Sequence, residues 1–127
     1  MSYQISATDF EKIVKQAIDK IPKTYKDGLV NVGFFAEDEP TKEQAKKLNL
    51  RPCDSLFGLF EGVPKTENDG GYAFTLPSKI TIFKKAHEQF AQNEAQLKKQ
   101  VFETVWHEVA HYYGLNHDQM RALQNKS

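Results

Sequence analysis

His107-Glu108-Val109-Ala110-His111-Tyr112-Tyr113-Gly114-Leu115-Asn116-His117 reads as the end of a helix and the turn that leaves it. Upstream, Leu97, Val101, Phe102, Val105, Val109 and Tyr112 recur at helical spacing, so one apolar face runs from about 94 to 113. Asn93 with Gln96 supplies a start signal, and Gly114 a stop that tolerates positive φ. His107 and His111 are four residues apart, so both imidazoles lie on one face, one turn apart, and can grip one ion. Both fall about half a turn round the helix from Val105, away from the apolar stripe, where core filler is not expected. Glu108 sits beside His107, placed to address a metal-bound water rather than the metal. The turn at Gly114 lets His117 return toward the same ion as a third ligand. Three protein ligands with a fourth position left for water make a catalytic arrangement, not a closed structural one.

Imidazole ligands on a helix favour Zn2+, which lowers the pKa of a bound water to about 7. Glu108 would take a proton as that water attacks a carbonyl and return it to the leaving amine. The expected chemistry is therefore zinc-dependent hydrolysis, with peptide bonds as the substrate class. Tyr113, Tyr72 and Arg51 are candidate donors to the developing oxyanion. Asp118, directly after His117, is the fallback third ligand or a partner that orients one.

Working outward, Ser6 with Asp9, or Thr8 with Glu11, opens a helix whose Phe10, Ile13, Val14, Ala17, Ile18 and Ile21 form an apolar stripe ending at Pro22. Strands are expected at Val30–Ala36, Leu56–Glu61 and Ile80–Phe83. Thr41 with Gln44 caps a short helix through Leu48, and a further short helix is expected from Asp118. Residues 62–77 read as a long loop or wide hairpin. Either of the last two strands could offer an edge to a peptide. Lys84 and Lys85 should end their strand, and the lysine pairs read as solvated faces. His87, followed by Glu88, lacks a second histidine at position 91 and reads as a surface helix residue. The order α-β-α-β-β-α is an α+β layer: a small mixed or antiparallel sheet packed on an N-terminal helix and the C-terminal motif helix.

The chain of 127 residues suits a single domain, 1–127. Seventeen Lys plus Arg balance seventeen Asp plus Glu, which argues against a nucleic-acid partner and gives no support for docking on an anionic membrane. Cys53 is the sole cysteine, excluding an internal disulfide and fitting a reducing compartment. No signal-peptide pattern opens the chain, so a cytoplasmic location is expected.

The sequence resembles a family of minimal bacterial zincin-like metallopeptidases. The resemblance rests on the motif helix together with Val-Asn-Val-Gly-Phe-Phe-Ala-Glu-Asp-Glu-Pro at 30–40, Leu-Phe-Gly-Leu-Phe-Glu-Gly-Val-Pro at 56–64 and Leu-Pro-Ser-Lys-Ile-Thr-Ile-Phe at 76–83. It implies a zincin-type fold, a zinc-dependent peptidase, His107 and His111 as ligands and Glu108 as the catalytic residue. Such proteins commonly carry Asp where His117 stands. Full metzincins share the motif but add a subdomain with a Met-turn; Met120, three residues past His117, reads as packing. Two other functions fit parts of the pattern. A metal-dependent endoribonuclease family has H-x-x-x-H-x-x-G-x-x-H but generally Gly in place of Glu108, and zero net charge also counts against it. A non-catalytic zinc protein could use an open cleft to bind a peptide or protein.

Overall fold

The Ser6 side chain accepts a hydrogen bond from the Asp9 N–H at 3.1 Å and starts helix α1, Ala7–Asp19. In the computed structural model, residues 3–51, 54–62 and 77–115 are described. The elements continue as α2 (Lys23–Asp27), β1 (Val32–Glu37), α3 (Lys42–Lys47), β2 (Gly58–Glu61), β3 (Ser78–Phe83), α4 (Lys84–Phe90) and α5 (Glu94–Tyr113). The α+β layer expected from the sequence is the fold observed. The Thr41–Gln44 capping box at α3 is formed in both directions.

The sheet order is β1-β3-β2, with β3 parallel to β1 and antiparallel to β2. The strand Ile80–Phe83 is therefore central, and of the two candidate edges only β2 qualifies. Ile80 and Ile82 are fully buried, and α5 presents Leu97, Val101, Val105 and Val109, all at 0% exposure. Phe10, Ile13, Val14 and Ala17 of α1 close the same core. Each such side chain contributes about 1.5–3 kcal/mol when fully buried. The apolar face of α5 thus fixes how the helix sits, and with it where the opposite face points.

Two expectations change. The strand ends at Phe83, as the lysine pair implied, but the chain then enters α4 at once and the Lys84 side chain is not a solvated face. Lys84 is only 17% exposed, and its ammonium donates to the Ile5 carbonyl at 2.9 Å, with Asp38 and Glu88 carboxylates at 3.8 and 3.9 Å. His87 is not a surface residue; it is completely buried. Its Nδ1 donates to the Phe83 carbonyl at 2.8 Å, and its Nε2 lies 2.8 Å from the Thr104 hydroxyl. Desolvation holds its pKa below the ordinary histidine value, which keeps the ring neutral near pH 7. A neutral ring that donates from Nδ1 accepts at Nε2, so His87 ties α4 to α5.

Residues 63–76, Cys53 and the segment from Asn116 onward lie outside the described residues, and with them most of the loop or hairpin expected at 62–77 and the helix expected from Asp118. Among the described residues, no helix is long and apolar enough to cross a membrane.

Candidate metal centre

The site grows from the last turns of α5. Trp106, Val109 and Ala110 are buried there, whereas His107 is half-buried and His111 is exposed. The two imidazole rings lie 4.4 Å apart between centroids. Glu108, on the shoulder of the helix, is 5% exposed. One ligand atom from each of His107, Glu108 and His111 lies within 4.8 Å of the others. The Glu108 Oε1 is 3.4 Å from the His111 Nδ1. Two imidazoles with a carboxylate beside them suit a divalent ion of zinc type, and the two histidines leave room for a further protein ligand. His117 and Asp118 lie outside the described residues.

Burial raises the Glu108 pKa from an ordinary 4.5 to about 7, only partly offset by a hydrogen bond from the Phe60 N–H. That bond comes from the edge of the sheet. The Phe83 N–H donates to the Phe57 carbonyl at 2.9 Å, which makes residues 57 and 83 a hydrogen-bonded pair. Alternation along the register then places Leu59 opposite Thr81 and Glu61 opposite Lys79 as further such pairs. Gly58 and Phe60 consequently turn their main-chain groups away from β3, off the outer edge and toward the Glu108 side.

Gly58 also permits the close approach of β2 to α5. A Cβ there would lie 2.7 Å from the Thr104 Cγ2 and 3.1 Å from the Glu108 Cγ. Sequence reasoning passed over this residue, although a glycine inside a strand pattern is the usual mark of such an approach. It also missed the Thr104–His87 pairing, which fastens the helix turn before Glu108. Between the Ser55–Gly58 segment, the end of α4 and the outer face of α5 runs a groove of about 620 Å3, ending at His107 and Glu108.

The proposed oxyanion donors fare differently. Tyr113 is committed elsewhere: its hydroxyl donates to the Tyr25 carbonyl, and it fills the space beside Gly28. Arg51 is exposed and paired with Asp54 at 3.2 Å. Tyr72 lies outside the described residues. Gly114 adopts φ 70° and ψ 26°, the left-handed turn expected to redirect the chain after the helix.

Comparison with known proteins agrees with this architecture. A conserved hypothetical protein from Thermo thermophilus superposes with a TM-score of 0.54 at 20% identity, over 96% of this chain and all of that one. At that identity the likeness speaks for the fold. No curated protein matches the chain. The family model described as zincin-like metallopeptidase matches residues 29–126, from just before β1 through the motif and beyond, and the chain belongs to that family.

Proposed function

We propose that this protein is a zinc-dependent hydrolase that cleaves peptide bonds. The observation that carries the reading is the convergence of His107, Glu108 and His111 within 4.8 Å, with the carboxylate buried against the edge strand β2. In this reading His107, His111 and His117 hold the zinc, with Asp118 as the alternative to His117. Zinc, when bound, supplies a Lewis acid that acidifies water and polarises a carbonyl.

The chain's own groups do the remaining work. Glu108 accepts the proton released from the attacking water and delivers it to the departing amine. A carboxylate whose pKa lies near working pH exchanges a proton in both directions at low cost, and burial brings Glu108 to that range. The Phe60 N–H holds the carboxylate in place. The outward main-chain groups of Gly58 offer hydrogen bonds to an extended peptide, added to the sheet edge as a further strand. Burial of Glu108 against β2 keeps bulk water from competing for its proton.

The test is Glu108→Gln, assayed for zinc content and for cleavage of peptide libraries. Zinc retained at the wild-type level with cleavage reduced at least about a hundredfold supports the proposal. Equal cleavage by the variant, or a zinc-loaded wild type inert on every library, sinks it; in the second case retention of a peptide or protein would favour a binding role.

A further inference from the structure

The sheet has a second edge, β1, across β3 from the strand that touches Glu108. The Ser78 N–H donates to the Asn31 carbonyl at 3.0 Å, so Asn31, Gly33, Phe35 and Glu37 turn their main-chain groups toward β3. Val32, Phe34 and Ala36 therefore turn theirs outward, and among the described residues no strand pairs with them. Side chains alternate in the same way. Val32, Phe34 and Ala36 pack against the core, which puts Gly33, Phe35 and Glu37 on the face turned away from it. Phe35 is 46% exposed. Its ring leans back along the strand over Gly33, where a Cβ would lie 2.8 Å from it. Lys79, the register partner of Gly33, holds its ammonium 5.0 Å from the centre of the same ring. A hollow of about 590 Å3 remains beside the ring, lined also by Gly33, Pro77 and Lys79.

We propose that the β1 edge is the interface of a homodimer, in which two copies of this chain pair antiparallel about a two-fold axis at Phe34. Outward main-chain groups must meet outward ones, and paired side chains must share a face. Both conditions hold when Phe34 meets Phe34 of the second copy, with Val32 opposite Ala36 on either side. Gly33 then faces Phe35 of the second copy in a non-hydrogen-bonded pair, where side chains come closest. The missing side chain of Gly33 makes room for that ring. Because each ring already leans toward its own Gly33, the two rings meet at the axis, with a Lys79 ammonium beside each. Charge is complementary as well. Antiparallel pairing carries Glu37 of one copy toward the Gly33–Lys79 end of the other, and among the described residues neither Glu37 nor Lys79 forms an ion pair within its own chain. The strand is thus complementary to itself, which selects a second copy over an unrelated strand. Pairing also removes an exposed edge that carries an exposed ring, an aggregation hazard in a lone chain. Both β2 edges stay outermost in the joined sheet.

The test is sedimentation velocity of the full-length protein from about 1 to 300 µM, with amide hydrogen exchange at both ends of that range. The interface is small, so a monomer–dimer equilibrium with a dissociation constant of about 10–100 µM is expected. Exchange at the Val32, Phe34 and Ala36 amides should slow at least about threefold as the dimer fills. Phe35→Lys, a change at an exposed position, should weaken association at least about tenfold. Ala36→Pro removes an outward N–H that β3 does not use, and should weaken association as far. A chain that stays monomeric at the highest concentration overturns the inference. So does a dimer that Phe35→Lys or a folded Ala36→Pro leaves as tight as the wild type, or one whose β1 amides exchange at the monomer's rate. Association that runs on past the dimer into larger species overturns it too, because a two-fold pairing closes on itself.

Discussion

Replacing Glu108 with Gln keeps the shape of the side chain and removes its titration, and the consequence for stability can be worked from its surroundings. In the metal-free protein, burial lifts the Glu108 pKa from 4.5 to about 7. Between those values the folded chain keeps a proton that the unfolded chain has released. A raised carboxyl pKa therefore stabilises the fold fully below the unfolded value, and the contribution is lost as pH rises through about 7. The shift corresponds to about 3 kcal/mol between pH 4.5 and about pH 8. Urea unfolding of the chelated wild type and of chelated Glu108→Gln, compared across that range, isolates this contribution. The variant should gain about 3 kcal/mol on the wild type as pH rises from 4.5 to about 8. Parallel curves would refute the claim that this carboxyl is desolvated by burial in the fold.

Other changes probe what holds the site. Gly58→Val would push a side chain into Thr104 and the Glu108 stem; it should cost about 1–3 kcal/mol in urea unfolding and lower peptide cleavage more than zinc content. His87→Leu strips partners from the Phe83 carbonyl and the Thr104 hydroxyl in a fully buried setting; it should cost about 2–4 kcal/mol by the same measurement. Tyr113→Phe loses the hydrogen bond to the Tyr25 carbonyl and should lower stability by about 1 kcal/mol, with peptide cleavage unchanged per folded molecule.

The motif helix was legible because two periodicities coincide in it. The stripe from Leu97 to Tyr112 sets the buried face, and the four-residue spacing of His107 and His111 reports the face opposite. The caps at Ser6, Thr41 and Asn93 are local signals and form as read. What the sequence concealed depends on contacts between distant segments. Nothing local to Lys84-Lys85-Ala86-His87 reveals that the helix there packs on α5, since its histidine is satisfied by Thr104, seventeen residues on. The raised pKa of Glu108 likewise comes from burial in the folded chain, partly offset by the Phe60 N–H of β2, nearly fifty residues earlier. Central and edge strands could not be told apart either, because parallel pairing of β1 with β3 is decided by the crossover and not by either strand alone.

The central claim is that His107 and His111 form a zinc centre served by Glu108. Metal analysis of the purified full-length protein, alongside His107→Ala and His111→Ala, tests it most directly. One zinc per wild-type chain, and its loss from both folded variants, is the expected result. Wild-type protein that binds no zinc at micromolar concentration, or variants that retain it, would rule out a zinc centre at these histidines.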